Sequence, residues 1–392
     1  MMNFELTDDQ ISIRNMVRAF AQERIAPHVM EFDNSKTFPK HLMKEMGELG
    51  LLGVFYPEQY GGSGMGYIEY ALIIEEIAAV DPSIALSVAA HNSLGSNHIF
   101  TNGSEEQRRK YMPMLTSGES LASWALTEPS GGSDAFGLKT VARRDGDFYV
   151  LNGSKTFITN PNYSKAHVVM AKTDPDGGKA GISAFVIDDG TPGFTVGAPM
   201  DKLGMRASDT AELFLEDCRV PVANRLGKEG HGYFDSLKIL DGGRISIGAM
   251  CVGIARGAFE HAVRYAQERS AFGKKIHQFQ AIKMKLADMA VEVDAARLLI
   301  MRAASMKDNG KNVSLESAMG KLYASEVAVR VANEAIQVFG GYGYIKEYPV
   351  EKYYRDAKLG TIGEGTSEVL RLVIARDLVK KYSIDMTPET AG

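Results

Sequence analysis

A glutamate between two glycines near the C-terminus is the side chain best placed for chemistry. In the segment IGEGTSEVLRLVIAR, Gly363 and Gly365 flank Glu364. Glycines beside a carboxylate allow backbone conformations closed to other residues and let a ligand approach closely. Thr366 and Ser367 can cap the helix predicted by the apolar pattern that follows, which leaves amide donors at its positive end. A carboxylate held there suits proton transfer, although an isolated Glu-Gly pair is more often part of a solvated loop.

A second candidate is the loop WALTEPSGGSD, residues 124–134. Thr127, Ser130 and Ser133 offer hydroxyls, and the glycine pair between the serines permits close backbone approach. Such a loop can cradle a phosphate or the polar edge of a heterocycle. A purely structural turn is an equally good interpretation of this segment taken alone.

Two further segments bear on a ring-shaped or phosphate-bearing ligand. KTFITN places Phe157 and Thr159 on one face of a predicted strand, which suits a flat ring or plain core packing. QVFGGYGY, residues 337–344, is a glycine-rich turn that follows a helix. It lacks the strand-before-helix order of a Rossmann fingerprint, so that dinucleotide fold is disfavoured.

The predicted helix over DGGRISIGAMCVG, residues 241–253, carries four glycines. Each costs roughly 1 kcal/mol relative to alanine inside a helix, so the pattern predicts close packing against another helix or a ligand. Arg244 shares a stripe with Leu240 and Ile247, which predicts a partly buried guanidinium with a partner.

The elements that must position these residues fall into three regions. The first 120 residues predict helices, including 67–79 and 82–100. Between Asp81 and Glu105 there is no Asp, Glu, Lys or Arg, so this stretch is expected to be buried, as core or as the wall of an apolar pocket. Short strands separated by turn residues follow and predict a mostly antiparallel β-domain; they cover 148–151, 167–171, 182–187 and 213–215.

Helical periodicity returns after Gly232 in three long stripes, which predict a bundle of amphipathic helices. The third stripe consists of Leu315, Met319, Leu322, Val329, Ala332, Ile336 and Phe339.

Composition limits the function classes. The 392-residue chain has a formal net charge of -5, which argues against a nucleic-acid partner, and no apolar run is long enough to span a membrane. Cys218 and Cys251 do not make a disulfide scaffold and lack zinc-site spacing, so no metal is expected. The start lacks the regions of a signal peptide. We expect a cytoplasmic bacterial protein, or a mitochondrial matrix protein if a transit peptide has been removed.

The combination resembles the acyl-CoA dehydrogenase family over nearly the whole chain. The resemblance rests on WALTEPSGGSD, NGSKTFITN, KLGMRASDT, ERSAFGK, QVFGGYGY and YRDAKLGTIGEGTSE, which occur in the family's order. It implies an α+β multidomain fold. Its parts are an N-terminal α-helical domain over 1–120, a central β-domain over 121–229 and a C-terminal four-helix bundle over 230–392.

The resemblance also implies site residues. Glu364 matches the family's catalytic base. FAD would be held by Trp124, Ala125, Leu126, Thr127, Ser133, Phe157, Ile158, Thr159, Arg269, Phe272, Gln280, Gln337, Val338, Gly340, Gly341, Thr366, Ser367 and Glu368. Of these, Arg269 and Gln280 would serve the FAD of a neighbouring subunit in a homotetramer. Acyl-CoA would contact Ser133, Asp241, Gly242, Gly243, Arg244 and Gly365.

By the same resemblance, the reaction is α,β-dehydrogenation of an acyl-CoA, with electrons passed to electron-transferring flavoprotein. A short-chain substrate such as butyryl-CoA is favoured. Since many relatives carry an aromatic residue where this chain has Gly363, a branched or cyclic acyl group stays open, whereas the neutral 83–104 stretch offers no cation for a dicarboxylate. In isovaleryl-type relatives the base lies on the DGGR helix instead, where this chain has Gly243.

Three alternatives remain. An oxygen-using oxidase of the same fold is usually much longer, and a flavin monooxygenase or nitroalkane oxidase lacks the base that Glu364 matches. A non-catalytic scaffold would bind no flavin.

Overall fold

The structure, a computed structural model, describes residues 5–382, and its elements follow the helical, β, helical order expected from the sequence. The N-terminal helices end at Thr116, the strands run from Leu121 to Leu226, and the next long helix begins at Gly232. Domain limits at residues 120 and 229 remain our proposal. The stretches 1–4 and 383–392, assigned to the outer domains, lie outside the described residues.

The N-terminal helices pack on the C-terminal ones through a shared apolar core. They are α1 Asp8–Phe20, α2 Val29–Ser35, α3 Lys40–Glu48, α4 Tyr67–Ala78, α5 Pro82–Ala90, α6 Asn97–Asn102 and α7 Glu105–Thr116. A π-helical stretch, His91–Ser96, joins α5 to α6. The uncharged segment from Pro82 to Ile99 is buried throughout, as its composition predicts.

The described strands of the central region form an eight-stranded sheet. They are β1 Leu121–Ala125, β2 Val141–Asp145, β3 Phe148–Thr159, β4 Ser164–Lys172, β5 Ile182–Asp188, β6 Phe194–Val196, β7 Thr210–Pro221 and β8 Arg225–Leu226. Pairing is mostly antiparallel, as expected, and the four predicted strands lie within β3, β4, β5 and β7. β1 pairs in parallel with β4 and carries Trp124 to the edge of the helical region.

The C-terminal region is a helical bundle. A small hairpin of β9 Ser270–Ala271 and β10 Lys274–Lys275 connects its first two helices. The helices of the bundle are α8 Gly232–Glu268, α9 Gln280–Asp308, α10 Ser314–Phe339, α11 Val350–Gly360 and α12 Ser367–Lys381. α8 is buried along most of its length and forms the centre of the bundle.

The apolar stripe predicted for α10 is wrong by about one position. Of its seven residues only Ala332 and Phe339 are buried, and the others are half-buried. The buried face is made mostly of small residues, including Ala318, Gly320 and Ala324. Small side chains let α10 approach α8 more closely than large apolar ones would, so the stripe of large residues was a misleading guide to the packed face.

A buried ion cluster joins the three regions. The Lys352 Nζ on α11 lies 2.9 Å from Asp81 Oδ1 and 2.7 Å from Asp356 Oδ2. Asp81 Oδ1 also accepts from the Ser83 amide at 2.8 Å and caps α5. Asp356 Oδ1 accepts from the Met205 amide, in the loop before β7, at 2.5 Å. The cluster therefore fixes α11 and the start of α5 against the β-region.

Candidate active site

Glu364 lies in the turn between α11 and α12. Its backbone has φ of 51°, and Gly365 follows with φ of 98°. A left-handed conformation at a non-glycine residue is uncommon and points to a constrained site. Thr366 then caps α12, its side-chain oxygen accepting from the Val369 amide at 3.3 Å. The predicted cap is confirmed, and the turn directs the Glu364 side chain back toward α8.

The Glu364 carboxylate ends in a buried corner. Among the described residues its Oε2 is buried and has no hydrogen-bond partner. Burial raises the pKa of Glu364 to about 7, against the opposing positive charges of Lys321 and Arg244. The group can therefore take or release a proton near neutral pH.

Gly243 on α8 faces this carboxylate. A Cβ built on Gly243 would lie 2.1 Å from Glu364 Oε2 and 3.0 Å from Leu94 Cδ2. Any side chain at position 243 would thus compete with Glu364 for the same space. The two positions at which the resemblance places a base therefore converge on one point, which the Glu364 carboxylate occupies in this chain.

Arg244 is buried beside the glycine, with 6% of its surface exposed. Its Nη1 lies 2.8 Å from Asp241 Oδ1, so the partner expected from the sequence is present. Burial lowers the pKa of Arg244 and raises that of Asp241. The pair supplies a polar edge next to an otherwise apolar corner.

The apolar side of the corner comes from the uncharged N-terminal segment. Ala90 and Leu94 form a small cluster with Ile239, and Trp124 and Leu240 pack against it. The segment was expected to be core or a pocket wall; most of it is core, and Leu94 lies next to the space between Gly243 and Glu364. A short apolar group fits such a wall, because the wall offers it no charge or hydrogen bond.

Trp124 is held by a buried histidine. Its Nε1 donates to His98 Nδ1 at 3.0 Å, and burial lowers the pKa of His98 to about 4. His98 is therefore neutral at pH 7 and can accept this bond at Nδ1 with its proton on Nε2. The indole ring thus has a fixed orientation at the border of the apolar corner.

The predicted ring-binding loop is anchored to β3 by a buried ion pair. Lys155 Nζ lies 2.7 Å from Glu128 Oε1, and the Thr156 amide donates to the Thr127 carbonyl at 3.0 Å. Phe157 follows with φ of 58° and with 68% of its surface exposed. The remaining residues of this predicted group lie on the same loop or strand; they are Ala125, Leu126, Ser133, Ile158 and Thr159. Ile158 and Leu126 are buried, whereas Ser133 is exposed.

A second predicted group surrounds a separate cleft of about 490 Å³. Arg269, Val338, Gly340 and Gly341 line it, and the Arg269 guanidinium lies 5.4 Å from the centre of the Tyr342 ring. Gln337 is exposed beside it, Phe272 is 96% exposed, and Gln280 is the exposed first residue of α9. Glu364, Trp124 and Phe157 do not line this cleft.

The remaining predicted residues lie on α12, directly after the Glu364 turn, and on α8. Ser367 and Glu368 form the first turn of α12 after the Thr366 cap. On α8, a Cβ at Gly242 would lie 2.8 Å from the Tyr67 hydroxyl. Close packing was expected at the glycines of this helix and is found.

One charged neighbour of Glu364 was missed from the sequence. Lys321 is fully buried on α10, and its Nζ donates to the Gly365 carbonyl at 2.6 Å. A lysine within a long helix is usually a surface residue. The small residues around it on the buried face of α10 were the only sequence signal.

Two classes of site are not found in the described part of the chain. Within residues 5–382, no three His, Cys, Asp or Glu side chains come together as a metal site would require. In the same residues, no helix combines the length and apolarity needed to cross a membrane.

Comparison with known proteins identifies the family. The models of the N-terminal, middle and C-terminal domains of acyl-CoA dehydrogenase match residues 7–119, 123–218 and 230–379. The probable acyl-CoA dehydrogenase YngJ of Bacillus subtilis (strain 168) is 51% identical, covering 97% of this chain and 100% of that protein.

Two solved structures agree with these matches. Butyryl-CoA dehydrogenase from Megasphaera elsdenii matches with a TM-score of 0.95 at 43% identity, over 96% of this chain and 100% of that one. A chain from a structure described for the electron transferring flavoprotein of Acidaminococcus fermentans matches with a TM-score of 0.95 at 45% identity, over 97% and 100%. Since all three domain models match in order, the chain belongs to the acyl-CoA dehydrogenase family, whose members are flavoprotein oxidoreductases.

Proposed function

We propose that this enzyme is an FAD-dependent dehydrogenase of short-chain acyl-CoA thioesters, with Glu364 as the catalytic base. The observation that carries the proposal is the unpaired, buried Oε2 of Glu364 facing Gly243 in an apolar corner. A carboxylate with no partner of its own in that position is ready to receive a proton from a bound ligand. The relatives support the substrate class, because one solved neighbour is a butyryl-CoA dehydrogenase.

The residues present fit a flavin. A Cβ at Gly131, Gly340 or Gly341 would meet nothing within 4 Å, so all three leave open space for a ligand at the two predicted binding regions. Phe157 presents an exposed ring on β3, one residue after Thr156, whose amide bonds to the loop at Thr127. We assign the ring system to the loop and β3, and the phosphate and adenosine portion to the Arg269 cleft. When bound, the flavin supplies the acceptor for a hydride from the substrate β-carbon.

The cleft around Arg269 would serve a neighbouring copy of the chain. The cleft is separate from the base, and the almost fully exposed Phe272 ring beside it is an apolar surface suited to contact with another subunit. A homotetramer therefore remains our proposal for the assembly. Electron-transferring flavoprotein as the acceptor and a cytoplasmic location likewise remain proposals.

Glu364 performs the proton transfer in this scheme. Its Oε2 takes the proton from the carbon next to the thioester carbonyl, and the dry surroundings make the carboxylate a stronger base than in water. Among the described residues, no acceptor is bonded to the Glu364 amide, which is therefore free to donate to the thioester oxygen. Such a donor stabilises the charge that develops on this oxygen as the proton leaves.

The acyl group is limited by Leu94 and Ala90 on one side and by the turn on the other. The three atoms nearest to a Cβ at Gly363 would all belong to Leu359, at 3.6 to 3.8 Å, which is ordinary contact distance, so the turn can accommodate a side chain such as the aromatic residue of many relatives. A straight four-carbon chain fits the proposal best, and a short branched chain is the nearest competitor.

The proposal predicts that butyryl-CoA bleaches the flavin fastest. The purified holoenzyme is mixed anaerobically with butyryl-, hexanoyl-, octanoyl-, isobutyryl- and isovaleryl-CoA and a cyclic acyl-CoA, and flavin absorbance is followed. Reoxidation by electron-transferring flavoprotein and by air is then compared, since rapid reoxidation in air would identify an oxidase. A bound flavin that no thioester reduces would contradict the proposed reaction, and a purified protein without flavin would support a scaffold.

The pH dependence of kcat/KM should follow the base. Because the pKa of Glu364 is raised to about 7, kcat/KM is expected to increase about tenfold per pH unit below 7 and to level off above it. The free energy of unfolding should change with pH in the opposite direction to kcat/KM, because the raised pKa means that the folded state favours protonated Glu364. This contribution is present below the ordinary glutamate pKa of 4.5 and is lost as pH rises through about 7. A profile without an inflection near neutral pH would place the base elsewhere.

A further inference from the structure

Lys321 carries a buried charge that the proposed reaction has not used. None of its surface is exposed, and within the described residues its Nζ forms no ion pair with a carboxylate inside 4.0 Å. Its Nζ instead donates to the main-chain carbonyl of Gly365 at 2.6 Å. Burying an ammonium group is costly without compensation, so its position next to the base requires a reason.

Close helix packing brings Lys321 to this place. A Cβ on Gly248 of α8 would lie 2.2 Å from Ile300 Cδ1 and 3.5 Å from the Lys321 Cα. A Cβ on Gly320 would lie 2.8 Å from the same Ile300 atom. Glycines on both helices therefore let α8, α9 and α10 approach closely, and the lysine side chain reaches the turn at the end of α11.

The hydrogen bond from Lys321 connects the Glu364 turn to a separate helix, α10. The other hydrogen bonds of the turn are local, such as Gly363 amide to Leu359 carbonyl at 2.8 Å and Ser367 amide to Thr361 carbonyl at 3.1 Å. Glu364 and Gly365 both have positive φ, and Glu364 pays a steric cost for it. An anchor on the Gly365 carbonyl restricts this peptide and thereby the direction of the Glu364 side chain.

The charge of Lys321 also acts on the base. On α8, Arg244 faces Glu364 but is paired with Asp241, and Cys251 faces Lys321 with its thiol pKa raised to about 12 by burial, so it is neutral. Tyr70 on α4 also senses the Glu364 charge, and burial keeps its hydroxyl neutral.

On α12, Arg376 and Asp377 act on Arg244 with opposite signs. Burial lowers the pKa of Lys321 to about 8, and the charge of Glu364 opposes that shift. Of the two cations that act on Glu364, Lys321 is thus the one that has no carboxylate within ion-pair distance in the described chain.

We propose that Lys321 is a positioning residue for the base: its ammonium group anchors the Gly365 carbonyl and stabilises the ionised form of Glu364. The inference rests on the proposed function for the role of Glu364, and on geometry alone for the anchoring of the turn. It assigns Lys321 no contact with substrate.

The test compares Lys321→Met with Lys358→Met in the flavin-loaded enzyme. Met keeps a long side chain but removes the charge and the donor, and Lys358 is an exposed lysine on α11, close to the same turn. In Lys321→Met, the pH midpoint for flavin reduction by butyryl-CoA is expected to rise by about one unit, since an opposite charge has been removed. Lys358→Met should keep the wild-type midpoint.

A second measurement does not depend on turnover. The infrared band of the protonated Glu364 carboxyl, identified by its loss in Glu364→Gln, is titrated in substrate-free enzyme. Its midpoint should rise by about the same amount in Lys321→Met. Lys321→Arg keeps a cation and a donor and should restore both midpoints in part. Should Lys321→Met fail to fold, Lys321→Gln keeps a donor without the charge and should show the same rise.

Two results would overturn the inference. The first is an unchanged midpoint in both titrations, and the second is a rate lowered equally at every pH, which would assign Lys321 a structural role only. Wild-type flavin that no thioester reduces would instead refute the proposed function. The infrared titration would then still test whether Lys321 acts on Glu364.

Discussion

Glu364→Gln is expected to slow flavin reduction by butyryl-CoA about 10³- to 10⁴-fold, because it removes the proton acceptor and little else. Glutamine has nearly the same shape, so the turn, the Thr366 cap and the contact with Gly243 should persist. Flavin content and binding of acyl-CoA should therefore stay close to wild type. Stopped-flow absorbance under anaerobic conditions measures reduction, and equilibrium titration of the flavin spectrum measures binding.

Glu48→Gln serves as the matched control, since Glu48 is exposed at the end of α3 and far along the chain from the turn. The same chemical change there should leave the rate unchanged. Near-normal reduction in Glu364→Gln would mean that another group takes the proton. Loss of flavin in that variant would instead mean that Glu364 has a structural role, and the rate comparison would have to be made per bound flavin.

The turn around Glu364 could be predicted from sequence because its determinants are local. Glycines at 363 and 365 and the capping residue Thr366 act within a few residues of Glu364, and the structure shows the cap and the positive φ. The convergence of Gly243 on the same carboxylate is not local. It could be anticipated only through the resemblance, which places a base at either position.

Lys321 shows why the remainder of the site could not be predicted. Its neighbour Leu322 belongs to the apolar stripe predicted for α10, yet Leu322 is half-buried and Lys321 fully buried. Which face of α10 is buried depends on how closely α8 and α9 approach it. Gly248 and Gly320 allow that close approach. Helix periodicity identifies which residues share a face, but it does not reveal that small residues, rather than large ones, will be packed.

The sheet shows the same limit. Apolar runs predicted β4 and β5, whereas β2 has the sequence VARRD and four exposed residues. Its place is determined by pairing with β3, as Val141 lies opposite Asn152 and Asp145 opposite Phe148. Cross-strand pairing of that kind depends on partners elsewhere in the chain and leaves no periodic signal in the strand itself.

Lys352→Met is expected to destabilise the fold by about 3–5 kcal/mol, because it leaves two buried carboxylates without their shared cation. The Lys352 side chain is 2% exposed, and both aspartates are fully buried. Burial lowers the pKa of Lys352, but the two carboxylates outweigh this effect and hold the pKa above its ordinary value. The lysine is therefore charged in the folded state, and its charge cannot be replaced by water.

Lys165→Met tests whether burial of the charges causes the large destabilisation expected for Lys352→Met. Lys165 Nζ lies 2.8 Å from Glu119 Oε1, a distance like those in the cluster, but both side chains are more than half exposed. Its loss should cost less than about 1 kcal/mol, as is usual for surface pairs.

Thermal midpoints are compared at one protein and FAD concentration, since bound cofactor and subunit contacts also raise them. Similar midpoints for the two variants would contradict the argument. A large drop confined to Lys352→Met would support the cluster as the contact that holds α11, and with it the turn of Glu364, against the rest of the molecule.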